Sequence, residues 1–145
     1  MKKKIRVIQG PNLNLLGTRQ PELYGSQSLQ EIHRALTEKF SHQAEFLFFQ
    51  SNHEGALIDA IHDCKSMDGI VINPGAYTHT SYAIRDAIEG IGVPAVEVHV
   101  TQLYARESFR HISLIAPVCV GQISGFGTAG YELAIRGLLQ LIERR

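Results

Sequence analysis

The chain has 145 residues, 44% of them hydrophobic and 19% charged, with 14 basic and 14 acidic side chains and no net charge. That length fits one domain, residues 1–145, large enough to bury a core without disulfides or metals. The balanced charge offers neither the basic surface of a nucleic-acid binder nor an acidic tail, and its weak colloidal repulsion fits an oligomer that hides surface.

Lys2, Lys3 and Lys4 look like the charged start of a signal peptide, but the apolar stretch behind them is broken by Arg6 and stops at Gln9-Gly10. No apolar run reaches the length of a signal core or a membrane span, so a cytoplasmic protein with no membrane partner is expected. Residues 5–9 predict a strand, and residues 10–27 a long loop. Ser28 can cap a helix whose Leu29, Ile32, Leu36 and Phe40 fall near one stripe, with Glu31 placed to complete a capping box. Ala44–Gln50 is a β-rich run carrying Phe46, Phe48 and Phe49. Residues 55–65 read as a helix with Leu57, Ile58, Ile61 and Cys64, and Gly69–Asn73 as a continuously apolar strand. A helix over 78–89 stops before Gly90 and Gly92, a fourth strand over 94–99 begins at proline, and a fifth covers 118–123. The last helix, 128–143, has Tyr131, Ala134, Leu138, Leu141 and Ile142 on its apolar side. Cys64, in a helix, and Cys119, in a strand, form no CxxC pair and read as buried free thiols in a reducing compartment.

Strands that are apolar throughout, separated by helices, argue for a parallel sheet covered on both faces. Five of them in this length fit a flavodoxin-like three-layer α/β sandwich with strand order 2-1-3-4-5. Ligands of such sheets bind beyond the strand carboxyl ends at the switch point, here between the first and third strands. Informative residues should therefore follow Gln9, Asn73 and His99.

After the first strand, the long loop carries Arg19 and Tyr24, and loops of this length are commonly lids or binding loops. A phenol serves as a base only as its phenolate, which a neighbouring guanidinium favours. The alternative is a surface tyrosine packing its ring beside a solvated arginine. After the third strand, Asn73-Pro74-Gly75 forces a turn, and Asn73 can bind hydroxyls or carbonyls. His79 follows, while Thr78, Thr80 and Ser81 are explained by local capping alone. Glu97 and His99 share one face of the fourth strand by its period of two. A carboxylate inside an apolar run needs a partner, and an imidazole it orients is the economical one, in an acid–base site or in a structural pair. Arg106 and Arg110, with His111, lie in the next loop and suit a carboxylate or hydroxyls, or a solvated or subunit-contact face.

Lysines occur only at positions 2, 3, 4, 39 and 65, away from the strand carboxyl ends, which leaves a Schiff-base mechanism without its nucleophile. The seven histidines lack metal-ligand spacing such as HExxH. The run from Gly125 to Gly130 matches GxGxxG, but no strand follows it before Arg145, so it reads as a turn with close helix–sheet packing.

Together these loops resemble the type II dehydroquinases (3-dehydroquinate dehydratases). The resemblance runs through Gly10–Gly17 (GPNLNLLG), Arg19 with Pro21 and Tyr24-Gly25, 50–55 (QSNHEG), 73–81 (NPGAYTHTS), 84–86 (IRD), 96–99 (VEVH), 105–107 with 109–111, and 125–131, covering essentially the whole chain. It implies a flavodoxin-like fold, a homododecamer built as a tetramer of trimers, and no cofactor or metal. It also implies anti elimination of water from 3-dehydroquinate, through an enolate, to give 3-dehydroshikimate in the shikimate pathway of aromatic amino acid biosynthesis; quinate breakdown would use the same reaction. By resemblance Tyr24 is the base, Arg19 favours its phenolate, and Asn12 holds a water against the enolate oxygen. His99 is the acid for the departing hydroxyl and Glu97 orients it. Asn73, His79 and Arg110 are substrate contacts, Val100 and Thr101 cradle the carboxylate, and Asp86 reaches a neighbouring subunit's site. The chain departs from the family after His99, where Val100-Thr101-Gln102-Leu103-Tyr104 replaces the common Leu-Ser-Asn-Ile-His. Thr101 keeps a hydroxyl but adds a methyl. A signalling receiver on this fold would want acids and a lysine where Asn12, Asn73 and Gln122 stand, and a flavin carrier a Ser/Thr-rich loop after the first strand. A non-catalytic binding module is the remaining alternative.

Overall fold

In a computed structural model, which describes all residues Met1–Arg145, the strand runs assemble side by side. Strands β1 (Lys3–Gln9), β2 (Ala44–Gln50), β3 (Gly69–Asn73), β4 (Ala95–His99) and β5 (Gly121–Ser124) form one sheet. Its order is β2-β1-β3-β4-β5 with every neighbouring pair parallel, the expected flavodoxin-like arrangement. A short helix α1 (Pro21–Tyr24) precedes α2 (Leu29–Lys39), α3 (Glu54–His62), α4 (Tyr82–Ile91) and α5 (Ala129–Glu143).

The pleat divides the core into two layers. On one face Ile5, Val7, Val71, Val96 and Val98 pack with Leu29, Ile32 and Leu36 of α2 and with Tyr131, Ile135 and Leu138 of α5. On the other, Ile8, Ile70, Ile72 and Ala95 pack with Leu57 and Ile61 of α3 and Ile84 and Ile88 of α4. All five residues of β3 and all five of β4 are buried, as strands covered on both sides require. Each wholly buried Ile or Leu contributes roughly 1.5–3 kcal/mol relative to exposure. The α2 start is as expected: Ser28 accepts from the Glu31 N–H, and the Glu31 carboxylate accepts from the Ser28 N–H.

The boundaries that differ most from the sequence reading lie in four places. The fourth helix begins at Tyr82, capped by Ser81, because Gly75–His79 closes first as a 3-10 turn; Thr78 and His79 therefore lie before it. The fifth strand is Gly121–Ser124, because Pro117 sits in a 3-10 turn over Ala116–Val118; Cys119 precedes the strand and is only half-buried. The third helix ends at His62 and runs on as a 3-10 turn, Asp63–Ser66, which places buried Cys64. The long first loop contains a 3-10 turn at Leu13–Leu15 and the four-residue α1, pinned by buried Leu13 and Leu16. No helix is long and apolar enough to cross a membrane.

At the switch point Gln9 pairs with Asn73 across β1 and β3. The two following loops are in backbone contact. The Gly10 N–H donates to the Asn73 carbonyl at 2.7 Å, and a Cβ at Gly10 would lie 2.5 Å from the Pro74 carbonyl carbon. Only glycine permits that approach.

Candidate active site

A cavity opens above this junction, walled by the loops after β1, β3 and β4. Arg19, Tyr24, Asn73, His99, Val100, Thr101 and Arg110 all line it. Seven of the eleven residues expected from sequence thus share one space.

Tyr24 ends α1, which Pro21 starts, and its ring packs against the core. The Arg19 guanidinium stands 4.9 Å from the ring centroid, and Arg106 stands 5.7 Å away from it. Arg106 also donates to the Thr101 hydroxyl at 3.4 Å and lines the cavity. The sequence reading weighed Arg106 with Arg110, but the resemblance carried only Arg110. Arg110 is itself oriented, its Nε donating to the Glu107 carboxylate at 2.7 Å.

His99 is backed by Glu97, which lies outside the cavity and is wholly buried. The His99 Nε2–H meets Glu97 Oε2 at 2.5 Å. Thr78 donates to the same oxygen at 2.7 Å, and Ser113 donates to Oε1 at 2.8 Å. Ser113 is positioned in turn by the Ala116 N–H, 3.0 Å away. Burial alone would raise the Glu97 carboxyl's pKa. The hydrogen bond and charge of His99, with the Thr78 and Ser113 hydroxyls, outweigh it and hold the carboxyl below its ordinary 4.5. Sequence reasoning missed Thr78 and Ser113. Thr78 was visible only as a cap candidate, and Ser113 sits in irregular chain with no periodicity to mark it.

The other expected residues do not line the cavity. Asn12 is exposed, in a left-handed conformation (φ 71°) that asparagine tolerates, and its N–H is anchored on the Asn52 side chain. His79 donates through Nδ1 to the Ile112 carbonyl at 2.8 Å, and its ring is nearly parallel to His99 at 6.5 Å. Asp86 is exposed on α4, away from its own chain's cavity.

The GxGxxG look-alike is structural, as expected. The Gly125 N–H donates to the His99 and Thr101 carbonyls, and the Gly127 N–H to that of Val100. This turn therefore holds the backbone of the segment in which the sequence departs from the family. A Cβ at Gly130 would lie 3.4 Å from Val98, so α5 sits close on β4. No three His, Cys, Asp or Glu side chains come together as a metal site would need.

An arrangement of one phenol beside two guanidiniums, facing an imidazole backed by a buried carboxylate, can remove one proton and deliver another. Comparison with known proteins identifies the family. Residues 3–139 match the family model described as Dehydroquinase class II. A 3-dehydroquinate dehydratase of Caldicellulosiruptor saccharolyticus is 52% identical over 143 residues, covering 97% of this chain and 99% of that protein. One from Sulfurovum sp. is 54% identical, covering 97% and 88%. The crystal structure of type II dehydroquinase from Butyrivibrio crossotus superposes with a TM-score of 0.92 at 49% identity, over 94% of this chain and 97% of that one. That from Propionibacterium acnes gives 0.92 at 36% identity, over 97% and 98%.

Proposed function

The chain belongs to the class II dehydroquinase family, and from that premise we propose that it is a hydro-lyase that removes water from 3-dehydroquinate to give 3-dehydroshikimate. The observation that carries this is the shared cavity of Tyr24 and His99, each with its own charge partner. Tyr24, with the Arg19 and Arg106 guanidiniums over its ring, is the base that takes the proton the adjacent ketone acidifies. The electrons pass to the carbonyl oxygen as an enolate, against which Asn12 holds a water. Collapse of the enolate expels the hydroxyl as His99, oriented by Glu97, gives it a proton. The two groups act from opposite faces of the ring, which makes the elimination anti. Asn73, His79 and Arg110 bind the ring's hydroxyl and carboxylate side, and Val100 and Thr101 cradle the carboxylate. Residues 1–145 act as one catalytic domain, without cofactor, in the shikimate route to aromatic amino acids in the cytoplasm.

We read the working form as a homododecamer, a tetramer of trimers. Tyr82, Tyr104, Phe109 and Ile112 are exposed large apolar side chains, which an interface between subunits would cover. Asp86 lies one helical turn from Tyr82 on the same side of α4, and in this reading it reaches the neighbour's cavity.

Purified protein given 3-dehydroquinate is expected to produce the conjugated enone, followed by its ultraviolet absorbance. Tyr24→Phe should lower turnover by about 10²–10⁴-fold, the usual worth of general acid–base help, with an unchanged circular dichroism spectrum. A near-normal rate would reassign the base, and no enone from the unmodified protein would refute the activity.

A further inference from the structure

Tyr131 is the largest fully buried side chain, and neither the sequence reading nor the mechanism above uses its hydroxyl. The close-packed Gly125–Gly130 turn brings it to the switch point. There Tyr131 Oη donates to Gln9 Oε1 at 2.7 Å and accepts from Asn73 Nδ2 at 3.0 Å. Gln9 is wholly buried, Asn73 nearly so, and Asn73 also lines the cavity.

The polarity of this chain of groups is determined at one end. The Gly75 backbone N–H, which can only donate, bonds to Asn73 Oδ1 at 3.1 Å. Asn73 must then turn Nδ2 toward Tyr131, so the Tyr131 oxygen accepts there and its single proton goes to Gln9 Oε1. That turns Gln9 Nε2 toward His33 Nε2, 3.4 Å away, which serves as acceptor when the imidazole is neutral. His33 stacks on Phe48 at 4.0 Å, and burial lowers its pKa to about 4, which keeps that lone pair free near neutral pH. Burial pushes the Tyr131 phenol up to about 12, so it keeps the proton that the chain needs.

We propose that Tyr131 is a positioning residue that acts through Asn73, locking its carboxamide against rotation so that the donor and acceptor ends are assigned before substrate arrives. The inference rests on the reading of Asn73 as a substrate contact. Without the Tyr131 hydroxyl, Asn73 Nδ2 loses its buried acceptor and the carboxamide is free to turn. A group held in advance spends less binding energy on ordering.

The test is a double-mutant cycle on 3-dehydroquinate turnover. Tyr131→Phe should lower kcat/KM about tenfold, mainly through KM, and by less than about twofold when added to Asn73→Ala, because coupled sites are non-additive. A merely structural role would give the same loss in both backgrounds, and that additivity overturns the proposal, as does a wild-type kcat/KM in the single variant. If Tyr131→Phe does not fold, Gln9→Met removes the acceptor for the same proton and is read by the same cycle, with the same two outcomes. Unmodified protein run in parallel separates the failures. Turnover with additive variants overturns the positioning role alone, whereas no turnover overturns the functional reading and this inference with it.

Discussion

Glu97 shows how a charge is kept inside a core. It has no exposure, yet both its oxygens are occupied, one by His99 and Thr78 and the other by Ser113. Its folded-state pKa is below the ordinary 4.5, so the stability it contributes is fully present above that pH and is lost as pH falls through the folded value. Glu97→Gln is expected to cost roughly 1–3 kcal/mol near pH 7, the penalty for disrupting buried hydrogen bonds. It should also flatten the acid limb of a plot of melting temperature against pH. An unchanged acid limb in the variant would mean that another carboxyl carries that dependence. The pairing of Glu97 with His99 was legible because two residues two apart on a strand share a face. The Thr78 and Ser113 hydroxyls were not, since they arrive from separate loops whose approach depends on where the 3-10 turns close.

Among the elements, the junction of the β1 and β3 loops is the least forgiving. At Gly10 the obstructing atoms are the Pro74 backbone, 2.5 Å and 2.6 Å from an added Cβ, so no side chain can move aside. Gly10→Ala is therefore expected to cost at least about 1–3 kcal/mol, the usual range for overpacking, and to remove most turnover by prising Asn73 from the switch point. Gly137, in the middle of α5, has nothing within 4 Å of such a Cβ. Gly137→Ala should instead gain about 0.5–1 kcal/mol from helix propensity. Chemical denaturation of both variants checks the contrast, and a stable, active Gly10→Ala would show that the loops can separate without consequence. The capping box at Ser28 and the runs that became β2 and β3 were readable because each depends on residues within a few positions of one another. The start of α4 and the bounds of β5 were not. There a turn and a proline compete locally, and the tertiary contacts of Thr78 and the pairing with β4 decide the outcome.

For the whole molecule, the dodecamer reading makes Asp86 functional although it stands outside its own chain's cavity. Asp86→Ala is expected to lower kcat/KM about tenfold while leaving each chain's fold unaltered, and light scattering should give the mass of twelve chains for the unmodified protein. A monomer with full activity, or an Asp86→Ala protein with unchanged kinetics, would remove the neighbour's part. Turnover should also survive EDTA; loss on chelation that added metal restores would require a metal-assisted step. The sequence by itself determined the parallel three-layer fold and the three loops on which the site stands, while the strand order followed from length and fold class and is observed in the structure. Apolar periodicity and helix–strand alternation are local signals, and few topologies satisfy them. Only the tertiary structure decided which polar groups meet: Arg106 over Tyr24, the hydroxyls on Glu97, and the Tyr131 link between Gln9 and Asn73. Those partners are 16 to 122 positions apart in the chain, and hydrogen bonds depend on fractions of an ångström that no periodicity encodes.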